Sequence, residues 1–228
     1  MSEAHYLNSL YPLQDMVLRL FTANNIRHYL TGGTALSRAF LHHRYSDDLD
    51  FFLNNDPDFE AESNRAIRLL QDNFEQVSID NRQLHFGRVF ITKENIMLKL
   101  DFVNDVSHHF NGFENKAIYH KVDNPLNILS NKIAALSRHA AKDIADIFFI
   151  CQRHSFTWPD MINDASKKDN WVNEVDVLTA IKTFDLNKLA TDVIWIKTPE
   201  FGTFSDIVKK ICFDIASAGA NSLFSSNG

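Results

Sequence analysis

Glycine, proline and cysteine are all scarce in this chain, with seven, five and two occurrences among 228 residues. That scarcity leaves little room for low-complexity segments, and none is visible apart from a short polar tail at 225–228. Cys151 and Cys212 sit in apolar stretches with helical spacing and form no CxxC pair. Reduced thiols of a cytosolic protein fit them better than a disulfide or a zinc site. No run approaches the ~20 apolar residues of a membrane span, and the N-terminus lacks a basic region followed by a long apolar one. A soluble, cytoplasmic protein without a membrane partner is expected. A surplus of positive charge is also missing: the formal charge is -6, so a nucleic acid would have to be met by a local basic patch.

Several catalytic signatures are absent too. There is no HExxH, no Cys/His zinc spacing and no GxSxG. Gly33 is followed by Thr34-Ala35-Leu36, not by Gly-Lys-Ser/Thr, which argues against a P-loop NTPase. The adjacent pairs His42-His43 and His108-His109 point in different directions on a helix or strand and make poor shared ligands. The histidines are assigned to structure or surface.

What is present is a good core, since 45% of residues are hydrophobic and 12% aromatic. Leu10, Leu13, Val17, Leu20 and Phe21 recur at helical spacing, and a first strand is expected at 26–30. A helix over 34–43 follows, capped by Thr34, with Leu36, Ala39, Phe40 and His43 on its buried face. A second strand is expected at 48–53, a helix after Asp56-Pro57-Asp58, and strands at 77–80, 84–91 and 96–103, the last two joined by a hairpin turn at 92–95. Residues 117–122 look extended. Beyond Pro125 the pattern is mostly helical, with helices from Pro159, over 173–184 and over 205–218, and with 193–196 ambiguous. The chain thus reads as an α/β (α+β) domain at 1–123 followed by a mainly helical domain at 124–228.

Gly32-Gly33 is the sole adjacent glycine pair, placed between a strand and a helix. Glycine there permits positive φ and close approach, and amides at a helix start can face an anion. An ordinary tight turn is the plainer alternative. Asp48 and Asp50, one residue apart, would leave the same face of a strand with α-carbons ~6.5 Å apart. Two such carboxylates can flank divalent ions, although an isolated DxD is often merely solvated. The apolar neighbours Leu49, Phe51, Phe52 and Leu53 imply a central strand, where uncompensated carboxylates are costly. In 96–103, alternation puts Met97, Lys99, Asp101 and Val103 on one face, so Asp101 is either a third carboxylate of the cluster or half of an exposed Lys99/Asp101 pair. Three aspartates plus a triphosphate suffice for Mg2+ or Mn2+. In the helical half, Lys132 either neutralises phosphate oxygens with Asp143 as its support, or snorkels at the surface while Asp143 and Asp146 serve as helix-start acids.

The segments Gly32-Gly33-Thr34-Ala35-Leu36, Arg44-Tyr45-Ser46-Asp47-Asp48-Leu49-Asp50-Phe51-Phe52, Lys99-Leu100-Asp101, Lys132-Ile133-Ala134-Ala135-Leu136 and Lys142-Asp143-Ile144-Ala145-Asp146 resemble, in order, the AbiEii/AbiGii toxin family of nucleotidyltransferases. The likeness runs from about residue 29 to 150. It implies a minimal nucleotidyltransferase core of the DNA polymerase β type, a mixed sheet with flanking helices, and a helical C-terminal domain completing the cleft. It also implies transfer of a nucleoside monophosphate from an NTP to an acceptor, RNA such as tRNA or a protein, by the toxin of a toxin–antitoxin or phage-defence pair with a cognate antitoxin. By the same resemblance Asp48, Asp50 and Asp101 would hold the metal, with Asp101 acting as or assisting the base. Gly32, Gly33, Thr34 and Ser46 would meet the triphosphate, and Lys132 and Asp143 would form the active-site pair of the helical domain. Lys142 stands where the family often has arginine. Two other classes stay open: a non-catalytic nucleotide-binding module, and a nucleotidyltransferase acting on a small molecule such as an aminoglycoside.

Overall fold

The computed structural model describes residues 2–224, so the polar tail noted in the sequence lies outside the described residues. Two compact units are present, one ending at Asp123 and the other beginning at Asn124.

The first unit opens with a helical run: α1 (Glu3–His5), a π-helical turn (Tyr6–Leu10) and α2 (Tyr11–Ala23). Asn25, with φ of 50°, ends it. Next come β1 (Tyr29–Thr31), α3 (Gly32–Leu36) continued by a π-helical turn (Ser37–Leu41), β2 (Leu49–Asn54) and α4 (Phe59–Asn73). The rest is strand: β3 (Gln76–Gln83), β4 (Phe86–Lys93), β5 (Ile96–Asp105), β6 (Glu114–Lys116) and β7 (Tyr119–Val122). They form one mixed seven-stranded sheet in the order β3-β4-β5-β2-β1-β7-β6. The β4–β5 hairpin expected at 92–95 forms there, and left-handed backbone at Glu94 and Asn95 supplies the turn whose twist matches the strands.

β2 and β5 lie side by side in parallel, at the centre. Their apolar alternates Leu49, Phe51, Leu100 and Phe102 are fully buried. Phe51 stacks on Phe102 at 5.7 Å, and Phe21 of α2 meets both rings. By the two-residue alternation of strands, Asp50, Lys99 and Asp101 project from the other face.

Local differences from the sequence expectation have simple causes. The helix after β1 starts at Gly32 and not at Thr34, so the glycines belong to its first turn. Its buried residues are Gly33 to Ser37, while Ala39 and Phe40 are only half-buried, because the π-helical turn widens the helix and shifts its inward face. The first strand is shorter than 26–30 suggested. The short β6, polar at all three positions, carries no apolar alternation and escapes a pattern search.

In the second unit α5 (Pro125–Ala134) is capped by Asn124, whose side chain accepts from the amides of Leu126 and Asn127. A 3-10 turn (Leu136–Arg138) leads to α6 (Ala141–Arg153) and α7 (Trp158–Ser166). Thereafter come α8 (Glu174–Thr183), the short α9 (Lys188–Thr191) and α10 (Phe204–Ala216). Residues 193–196 form neither a helix nor a strand; Trp195 there stacks against Phe204 and donates from Nε1 to the Leu189 carbonyl. Both cysteines are free thiols.

Candidate active site

The glycine pair is required by what crosses it. Thr31 pairs with Asp50 across β1 and β2, so the chain turns over the Asp50 carboxylate at the next residue. Gly32 takes φ of 70°, and a Cβ there would collide with Asp50 Oδ2. At Gly33 a Cβ would run into the Arg44 guanidinium and crowd Ser46 Oγ. Gly32 therefore makes room for a candidate metal ligand, and Gly33 for a buried arginine.

The segment before β2 is tied down from several sides. Thr34 is buried and its hydroxyl donates to the Asp48 carbonyl, while Ser37 donates to that of Arg44. Gln14, wholly buried on α2, donates from Nε2 to the carbonyls of Ser46 at 3.1 Å and Asp47 at 3.0 Å. Tyr6 Oη donates to Asp47 Oδ1 at 2.6 Å, and the Ser46 amide donates to Tyr11 Oη at 3.2 Å. Burial and the neighbouring Asp47 both push the Tyr6 hydroxyl well above its ordinary range, so it stays a donor. Ser46 and Thr34, expected from the family resemblance to meet phosphate, are both buried in this scaffold.

The three aspartates are arranged around cations of the chain itself. Asp50 and Asp101 are direct partners in the β2–β5 register. Asp48 is the residue before β2, where the next step upstream of the Leu49/Leu100 pair brings it to Lys99. Lys99 Nζ lies 2.7 Å from Asp48 Oδ2 and 3.7 Å from Asp101 Oδ2. Burial disfavours the ammonium, but Asp48, Asp101 and Asp50 outweigh it and hold Lys99 above its usual value. Arg88, the β4 partner of Asp101, donates to both oxygens of that carboxylate, Nε to Oδ1 at 2.7 Å and Nη2 to Oδ2 at 2.8 Å. Among the described residues no three His, Cys, Asp or Glu side chains form a ready-made metal site. The donor set is nevertheless all carboxylate oxygen, the kind Mg2+ and Mn2+ prefer, and an ammonium already stands between two of the donors.

In the second unit Lys132 is buried and not snorkelling. Its Nζ lies 2.7 Å from Asp143 Oδ1 and 2.8 Å from Asp146 Oδ2. Arg138 Nε donates to Asp143 Oδ2 at 2.7 Å. Burial opposes ionisation of Asp143, but Lys132 and Arg138 prevail and hold its carboxyl below the usual range. Asp143 and Asp146 are thus counter-ions of a buried lysine, not merely acids at a helix start.

Sequence reasoning passed over Gln14, Arg88 and the roles of Arg44 and Asp146. The first left one signal, a polar residue between Leu13 and Val17 in an apolar stripe. The pairing of Arg88 follows from the hairpin register that the two-residue turn at Glu94-Asn95 sets, and that of Asp146 depends on helix packing, which no local pattern encodes.

The chain resembles known proteins along most of its length. It shares its fold with JHP933 from Helicobacter pylori at 18% identity and a TM-score of 0.60, covering 95% of this chain and 94% of that one. A second H. pylori protein, provisionally named a nucleotidyltransferase, matches at 18% identity and a TM-score of 0.59, with 95% and 96% covered. No curated protein matches the sequence. A family model described as nucleotidyl transferase AbiEii toxin of type IV toxin–antitoxin systems matches residues 19–195. That span takes in the glycine turn, the aspartates and the buried lysine, and it places the chain in the AbiEii nucleotidyl transferase toxin family.

Proposed function

We propose that this toxin transfers a nucleoside monophosphate from an NTP to a hydroxyl of an RNA acceptor, tRNA being the class that the family resemblance favours. The observation that supports it most directly is the pairing of Asp50 with Asp101 beneath Gly32, with Asp48 joined to Asp101 through Lys99. In this reading Asp48, Asp50 and Asp101 hold Mg2+ or Mn2+ through their carboxylate oxygens. A divalent ion bound there supplies positive charge to the triphosphate and acidifies the attacking hydroxyl.

The residues around it position and neutralise. Gly32 and Gly33 let the backbone approach the phosphates closely. Thr34 and Ser46 act from behind, by fixing the segment that carries Asp48. Asp101 has both oxygens engaged by Arg88, so it serves as an oriented carboxylate whose remaining lone pairs face the ion and the attacking hydroxyl. Lys132 and Asp143 receive the nucleotide-contacting role that the family resemblance implies. In the same reading the protein has a cognate antitoxin, which membership of a type IV toxin–antitoxin family supports, and it takes part in phage defence from the cytoplasm. Among the described residues no helix is long and apolar enough to cross a membrane.

The test is incubation of the purified protein with each α-labelled NTP, Mg2+ and total RNA. Label on tRNA-sized RNA, lost in Asp50→Asn, is the expected result. Label on an added aminoglycoside alone would indicate a small-molecule enzyme, and nucleotide binding without transfer would indicate a binding module.

A further inference from the structure

Lys99 stands where the reading above places a metal ion. Its Nζ touches Asp48 Oδ2 at 2.7 Å and faces Asp101 Oδ2 at 3.7 Å, with Asp50 adding to the negative field on it. A metal drawing on those same two oxygens at about 2.0–2.1 Å would overlap the ammonium, and the two cations would repel strongly at that range. Loading the site therefore requires Lys99 to leave.

We propose that Lys99 is a resident counter-cation that competes with the divalent ion for the aspartates and transfers to a triphosphate oxygen when ion and nucleotide load together. The inference rests on the reading of this site as a metal and nucleotide site. The side chain is 28% exposed, so its way out is open, and its single charge sits on a flexible stem that can be re-aimed. Arg88 is not equivalent. It holds Asp101 with two parallel hydrogen bonds, a geometry that orients the carboxylate but does not shuttle. Lys99 is the only ion-pair partner of Asp48 among the described residues, so its departure frees that ligand entirely. The arrangement also lets three acids fold at one place before any metal arrives, which a bare cluster would resist.

The experiment compares the full-length wild type with Lys99→Met, Asp50→Asn and, as a control, Lys93→Met. Mn2+ affinity is read without nucleotide by electron paramagnetic resonance, and affinity for a non-hydrolysable NTP analogue at saturating Mn2+ by calorimetry. Thermal melts confirm that each variant is folded. Lys99→Met is expected to bind Mn2+ about five- to tenfold more tightly and the analogue about tenfold more weakly. A lysine with a purely structural role would shift both affinities in the same direction or neither. Opposite signs support the proposal, and any other result for Lys99→Met overturns it. If the wild type binds Mn2+ no better than Asp50→Asn does, the metal-site reading fails and takes this proposal with it.

Discussion

Arg88 grips Asp101 with two parallel hydrogen bonds of 2.7 and 2.8 Å across neighbouring antiparallel strands. A carboxylate restrained in this way presents its remaining lone pairs in a fixed direction, which a ligand to an octahedral ion requires. Arg88→Ala should lower transfer by about 10–100-fold through loss of that orientation. Arg88→Lys should recover little, because an ammonium lacks the planar fork. Steady-state labelling of RNA by the two variants checks this, and wild-type turnover in Arg88→Ala would show that Asp101 is not held for catalysis.

Gly32 makes a sharper case. Any side chain there meets the Asp50 carboxylate and must also adopt a left-handed backbone. Gly32→Ala should cost about 1–3 kcal/mol of stability and abolish transfer, because Asp50 must move to admit the methyl group. Gly202→Ala, where an added Cβ meets nothing within 4 Å, is the matched control and should leave transfer intact. Urea titrations followed beside the labelling assay distinguish a displaced Asp50 from simple unfolding.

The contrast between Asp50 and Lys99 marks how far the sequence could be read. The glycine pair, the DxD and the alternation in 96–103 were visible because each is local, and together with family likeness they marked the mixed sheet and the face carrying Asp101. The three acids were expected to be costly without a cation, yet nothing in the sequence named which cation. Lys99 appeared as half of an exposed pair and within the Lys99-Leu100-Asp101 motif, without a role, because its partner Asp48 lies across the parallel β2–β5 contact, whose register is long-range information. Arg88 did not appear, because its place opposite Asp101 depends on the hairpin turning tightly at Glu94-Asn95. Asp146 was hidden for a related reason. Its role depends on α5 and α6 packing so that Lys132 reaches both Asp143 and Asp146.

Buried ionisable groups should shape the acid limb of the stability curve in two stages. His28 is buried and its imidazole is pushed down to about 3, first by burial and then by Arg27 and Lys121, so it folds neutral. In the unfolded chain it takes up a proton below about pH 6.5. Stability should therefore be full above that pH and fall, by up to about 1.4 kcal/mol per pH unit, as acid is added toward the folded value. Asp143, whose folded value is depressed, stabilises above its unfolded pKa of about 4 and loses that contribution only below it. His28→Phe should flatten the curve between pH 6 and 4, and Asp143→Asn only the steeper part beneath. Chemical denaturation at each pH resolves the stages, and an unchanged slope in His28→Phe counts against this account.

Lys132 should be the most sensitive single position in the helical unit. Its ammonium is buried against two carboxylates, Asp143 and Asp146, and Arg138 Nε also donates to Asp143. Lys132→Met would leave Asp146, wholly buried, without its lysine. Breaking a buried pair from one side costs about 3–5 kcal/mol, whereas replacing all partners with neutral groups is often nearly neutral. The triple variant Lys132→Met, Asp143→Asn, Asp146→Asn should accordingly regain much of the stability lost by the single one, yet remain inactive in transfer if the lysine meets the nucleotide. Melting temperatures test the first half and RNA labelling the second. A triple variant that recovers both would reduce this cluster to a structural device.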